Sequence, residues 1–222
     1  MHFASKTRNL GSEADMSRRK NPLSRCLACH MRKELCLCGQ IRECRDSIKN
    51  TVRIHILMHH RERHLTTNTG RLAALSIPHC QVHYRGLPNK ALNCAELVDS
   101  ERENLVLFPH DDAEVLSPDF LKKITKPITL LVPDGSWRQA YKVAKREDAF
   151  SNLKRVVLPL GKISEYKLRR EPKAHGLATF EAIARALGIV DCKETQDKLE
   201  TVFRLMVERI LRSRGYVNPA TR

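Results

Sequence analysis

Apolar residues in this chain gather in short runs that leave little room for a polar face. "VRIHILMH" (52–59), "QVHYRGL" (81–87), "NLVLFP" (104–109), "ITLLVP" (128–133) and "RVVLPL" (155–160) each read as a strand. Strands that are apolar throughout, with helical stretches between several of them, predict an α/β fold: a mainly parallel sheet with helices on both faces. Sheets of that kind bind ligands in the loops beyond the C-terminal ends of their strands.

Helical periodicity fills several of the gaps. "NTGRLAALSI" carries a helix-start signal. "SWRQAYKVAKRED" starts at a Ser136 cap and sets Trp137, Ala140, Tyr141 and Ala144 on one face, with Arg138, Lys142 and Lys145 on another. That basic face is either solvated or meets phosphates. In "TFEAIARALG", Thr179 reads as the N-cap, Phe180, Ile183, Ala184 and Leu187 as the apolar stripe, and Gly188 as the stop. A last helix, from about Glu194 to Arg214, buries Leu199, Val202, Phe203, Met206 and Ile210 and ends at Gly215.

Composition narrows the class. A chain of 222 residues, 41% of them hydrophobic, can bury a core of its own. No apolar run approaches the roughly 20 residues of a membrane span, and the N-terminus lacks the apolar centre of a secretory signal. The expectation is a soluble, cytoplasmic protein with a polar, basic, disordered tail over 1–22 and a short C-terminal tail over 216–222. Forty Lys and Arg against 25 Asp and Glu leave a net charge of +15, which points to a polyanionic partner, nucleic acid first. No GxGxxG and no GKS or GKT motif is present, which argues against dinucleotide and P-loop sites.

Cysteine changes the picture again. Eight cysteines in a reducing compartment are metal ligands or buried thiols, and "CLACHMRKELCLC" crowds four of them together as a CxxC pair, Cys26 and Cys29, and a CxC pair, Cys36 and Cys38. Four thiolates close a tetrahedral zinc shell without an open position, so the zinc is structural; His30 is a possible substitute ligand. Residues 23–50 then form a small zinc-binding segment ahead of a main domain over 51–215. Cys44, Cys80, Cys94 and Cys192 lack ligand spacing and read as small apolar residues.

Three loops at predicted strand ends remain: "HHRERHLTTNTGR", "PDGSWR" and "SEYKLRREPKAHGLATFEA". With the thiol cluster upstream, their order resembles the DTW-domain family of tRNA-uridine aminocarboxypropyltransferases, relatives of the knotted SPOUT methyltransferases. The matching positions are the four clustered cysteines; Glu62, Asn68, Thr69, Gly70 and Arg71; Asp134, Gly135 and Trp137; Ser164, Tyr166, Leu168 and Arg169; and Thr179, Glu181 and Ala182. Ser136 stands where the family's Asp-Thr-Trp has threonine, and a hydroxyl survives the change. The resemblance implies a SPOUT-like, knotted fold, S-adenosylmethionine as donor, its 3-amino-3-carboxypropyl group as cargo, and N3 of a tRNA uridine as acceptor. It implies no protein partner.

That chemistry assigns expected roles. Uridine N3 must lose a proton, which makes Asp134 the candidate base, beside Trp137 and Glu62 as further catalytic candidates; the other reading of Asp134 is a cap or turn carboxylate. Trp137 either stacks on a base or packs in the core. Arg169 either forks the donor's carboxylate or, with Arg170, meets tRNA phosphates. Leu107, Pro109, Leu131, Pro133 and Leu158 would hold adenine, while Gly135, Ser136, Ser164, Tyr166, Thr179 and Glu181 complete the donor site. Asn68, Thr69, Arg71, Arg138, Lys142 and Lys145 would face the RNA. Two other classes stay open: a SPOUT-like RNA methyltransferase, and a zinc-bearing RNA-binding protein without activity.

Overall fold

The computed structural model describes residues 24–88, 91–166, 168 and 176–216. Arg169, Arg170, residues 1–22 and residues 217–222, all named in the sequence reading, lie outside the described residues. The elements run α1 (Cys38–Ser47), β1 (Arg53–His59), α2 (Thr69–Ser76), β2 (Cys80–Arg85), β3 (Glu103–Leu107), β4 (Glu114–Val115), α3 (Pro118–Leu121), β5 (Ile128–Asp134), α4 (Trp137–Arg146), β6 (Lys154–Val157), α5 (Thr179–Val190) and α6 (Lys193–Ser213). Among the described residues no helix is long and apolar enough to cross a membrane.

The strands form one sheet in the order β2-β1-β5-β3-β6-β4, and every pairing is parallel. The α/β expectation holds, and its cause is visible in the central strands. Five consecutive residues of β1, Ile54 to Met58, are buried, because a parallel strand with helices on both faces has no solvent side. β5 is the same from Thr129 onward and pairs with β1 from Arg53↔Thr129 to Met58↔Asp134. Only the edge strand β4 has no counterpart in the sequence reading; it is two exposed residues long.

Two apolar layers flank the sheet. On one side α1, α2, α5 and α6 pack a continuous core that includes Leu37, Ile41, Ile56, Met58, Leu72, Phe180 and Phe203. The α6 stripe of Leu199, Val202, Phe203, Met206 and Ile210 is buried as expected, each side chain contributing about 1.5–3 kcal/mol. On the other side α4 covers a smaller cluster of Leu57, Val106, Leu131, Ala140, Val143 and Phe150.

Local expectations fail in four places. α4 buries Ala140, Val143 and Ala144, whereas Tyr141 is 39% exposed and turns toward His110. α5 is capped at Ala178, where Glu181 accepts the Ala178 N–H at 3.0 Å, so Thr179 is the first helical residue rather than the cap. The same helix passes through Gly188 to Val190, because Gly188 is not a turn but a close-packing point: a Cβ there would lie 2.1 Å from Gln196 Oε1 on α6. Cys192 is exposed, unlike Cys44, Cys80 and Cys94.

Candidate active site

The chain turns sharply where β5 meets α4. Gly135 has φ +147°, a backbone region that residues with a Cβ rarely adopt. Ser136 then caps α4: Gln139 Oε1 accepts the Ser136 N–H at 2.9 Å, and Ser136 Oγ accepts the Gln139 N–H at 3.4 Å. Capping is therefore the work of Ser136 and not of Asp134. The Asp134 carboxylate, 8% exposed, is bound instead by groups from two other elements. Thr179 Oγ1 donates to its Oδ1 at 2.5 Å, and Asn68 Nδ2 donates to its Oδ2 at 3.2 Å. Thr179 opens α5 and Asn68 caps α2, so the first turns of two helices converge on the end of the central strand.

Beside Asp134 opens a cleft of about 720 Å³, within the usual range for small-molecule sites. Its walls come from the C-terminal ends of β3, β5 and β6, as a parallel sheet requires. Asn68, Thr69, Leu107, Pro109, Pro133, Asp134, Gly135, Ser136, Trp137, Arg138, Leu158, Tyr166 and Thr179 all line it. Trp137 is half-buried against the smaller core, its ring 5.9 Å from that of Phe108, and it also faces the cleft. Tyr166 crosses from the larger core, where it packs 5.8 Å from Phe203, and donates its hydroxyl to the Thr67 carbonyl at 2.5 Å.

Other expected site residues stand elsewhere. Glu181 and Ser164 lie behind the wall: Ser164 Oγ and the Glu165 N–H donate to the two Glu181 oxygens at 2.5 and 2.8 Å, which ties the 164–166 loop to the start of α5. Leu131 faces the smaller core. Glu62 belongs to a short 3-10 turn, His60–His64, outside the lining. Arg71 lies on α2, against His30 rather than in the cleft. Lys142 and Lys145 are exposed on α4, Lys145 Nζ 5.5 Å from the Tyr141 ring centroid.

The lining also includes residues that sequence reasoning passed over, notably Phe108, Lys162 and Arg185. Arg185 donates to the Lys162 carbonyl at 2.7 Å, holding the loop after β6 to α5. A signal for it existed: Ala178, Ala182 and Arg185 follow one another at helical spacing, and all three face the cleft.

The four clustered thiols come together. All four Sγ atoms lie within 4.8 Å of one another, with Cys26 to Cys38 at 3.5 Å and Cys29 to Cys36 at 3.7 Å. A tetrahedral zinc with bonds near 2.3 Å would set its ligand sulfurs about 3.8 Å apart, so the cluster fits that ion. Backbone N–H groups, that of Cys29 first, lower the Cys26 thiol to about 6, while burial raises Cys29 and Cys38. His30 is not in the cluster. The knuckle does not hang free of the sheet domain: Met31, Leu37 and Ile41 share the larger core, and Arg209 of α6 donates to the Leu35 carbonyl at 3.3 Å.

A sequence model of the DTW domain matches residues 23–211. The chain belongs to the DTW-domain family. Curated relatives of the chain are called tRNA-uridine aminocarboxypropyltransferase 2. That of Drosophila melanogaster is 28% identical over 190 residues, which cover 83% of this chain and 72% of the relative. Those of Macaca fascicularis and Mus musculus are 26% and 27% identical over 169 and 170 residues, each alignment covering 75% of this chain and 56% of the relative. This DTW chain thus spans little more than half the length of the two mammalian proteins.

Proposed function

We propose that the protein is a tRNA-modifying transferase that moves the 3-amino-3-carboxypropyl group of S-adenosylmethionine to N3 of a uridine. The observation that carries the reading is Asp134: a braced carboxylate at the end of the central strand, lining a cleft large enough for a nucleoside-sized donor. Family membership and the relatives' names support the donor and the acceptor class. Bound in the cleft, the donor supplies a sulfonium that activates each carbon attached to sulfur.

The chain's own groups then divide the remaining tasks among them. Leu107, Phe108, Pro133 and Leu158 exclude water and offer apolar contact to an adenine. Arg138, Lys162 and Arg185 provide cations at the lining, and one of them, or Arg169, would hold the donor's carboxylate, which aims the carboxypropyl carbon rather than the methyl at the base. Asp134 takes the N3 proton as the N3–carbon bond forms and the carbon–sulfur bond breaks, releasing methylthioadenosine. Trp137 offers a ring to the target base at the cleft wall. The exposed Lys142 and Lys145 continue the basic face toward the rest of the tRNA. Cys26, Cys29, Cys36 and Cys38 would hold a structural zinc that takes no part in the transfer.

The test is a mass measurement. Unmodified tRNA incubated with the protein and S-adenosylmethionine, then digested, should yield a uridine heavier by one aminocarboxypropyl group, with methylthioadenosine released. A methylated nucleoside would keep the fold and overturn the chemistry. Tight tRNA binding with neither donor binding nor product would leave a zinc-bearing RNA-binding module.

A further inference from the structure

Two features of the molecule each cost stability, and they meet at one contact. His30 leaves the Cys26–Cys29 turn with φ +58°, where a residue with a Cβ is strained. The turn is closed around it: the His30 N–H donates to the Cys26 carbonyl at 3.0 Å, and Arg25 donates to the His30 carbonyl at 3.0 Å. Arg71, in the first turn of α2, is half-buried, and its Nε is buried with no hydrogen-bond partner among the described residues. The two side chains touch, Arg71 Nη1 lying against both ring nitrogens of His30, 2.7 Å from Nδ1 and nearer still to Nε2, while Tyr84 is a second polar neighbour of the guanidinium.

From that contact a continuous run leads to the cleft. The Arg71 backbone N–H donates to Asn68 Oδ1 at 2.9 Å, and the Asn68 amide donates to Asp134 Oδ2 at 3.2 Å. We propose that His30 and Arg71 are positioning residues: the thiol knuckle holds the His30 ring on the Arg71 guanidinium, which seats the first turn of α2 and so fixes the Asn68 amide that orients Asp134. A residue needed only for the turn would be glycine, which reaches this backbone region without steric cost. A side chain needed only for packing would not leave a buried donor unpartnered. The inference rests on the catalytic reading of Asp134.

The experiment uses the full chain loaded with zinc, as wild type, His30→Gly, Arg71→Met, Arg71→Lys, the His30→Gly/Arg71→Met double variant and Asp134→Asn. His30→Gly relieves the strained backbone, so it should match wild type in zinc content and melt no lower. Its kcat should nevertheless fall roughly 10-fold, with donor Kd unchanged, since a small misplacement of a reacting group costs turnover rather than binding. Arg71→Met should fall at least as far, Arg71→Lys less, and the double variant no further than Arg71→Met alone. A His30→Gly protein with wild-type kcat overturns the proposal, as does a double variant whose losses multiply. An active Asp134→Asn protein overturns both this inference and the catalytic reading; an inactive one beside a fully active His30→Gly overturns the positioning alone.

Discussion

The two layers against the sheet are built to different depths. The larger layer joins four helices, with Phe180 stacked on Phe203 at a centroid distance of 5.5 Å, and it supplies two side chains that bind Asp134, Asn68 from the cap of α2 and Thr179 from the start of α5. The smaller layer is α4 with two short 3-10 turns around Phe150, and it supplies Trp137, Phe108 and the basic helix face. One layer therefore holds the Asp134 carboxylate in place, and the other presents rings and a cation to the cleft. Rigid placement and adaptable contact are assigned to opposite sides of one strand, β5.

Substitutions can break or sharpen that contrast. The largest effect is expected at the junction: Asp134→Asn should lower turnover by about 10²–10⁴ while leaving the thermal melt nearly unchanged. Next comes Phe180→Ala in the larger layer, which should cost about 3–5 kcal/mol in urea unfolding, against about 1–2 kcal/mol for the half-buried Trp137→Ala, whose main signature would be a raised KM. Equal losses at Phe180 and Trp137 would abolish the distinction between the layers.

Acid should act on the smaller layer. His55, on the β1 face beside Leu57 and paired with His83 at 2.9 Å, is held down to about 4 by burial first and by His83 next, from 6.5 in the unfolded chain. Between about pH 6.5 and 4 the unfolded chain binds a proton that the folded chain refuses. Stability is thus complete above 6.5 and declines as the pH falls toward 4, by at most about 3 kcal/mol. Melting curves across that window should be flatter for His55→Gln; curves that superpose on wild type would remove His55 from the account. The smallest effect is expected on the basic face, where Lys142→Ala and Lys145→Ala should each lower the slope of log tRNA affinity against log salt by about 0.9.

Much of this was legible in the sequence, for identifiable reasons. The central strands β1, β3 and β5 announce themselves because burial on both faces leaves no polar phase to confuse, and the thiol cluster because a closed metal shell needs close pairs of ligands. What was misread concerns side chains whose partners are distant. Thr179 looks like a cap, yet its hydroxyl is committed to Asp134, 45 residues earlier, and Glu181 does the capping. Arg71 reads as a residue facing the RNA, yet it meets His30 across 41 residues of sequence. Tyr141 fits the apolar stripe by spacing alone, but a stack on His110, itself far in sequence, draws it outward. Local propensity describes the elements; pairings between them settle the site.

One contact near the two ends of the described chain has a consequence for synthesis. Arg209 on the last helix reaches the Leu35 carbonyl, 174 residues back, beside the knuckle. Strands β1 to β6 are all translated before Thr179 and Arg209 are. A nascent protein therefore has its thiols long before it has a braced Asp134, and slow, non-local assembly puts the site among the last parts to mature. A stalled or shortened product would carry the knuckle without the finished cleft.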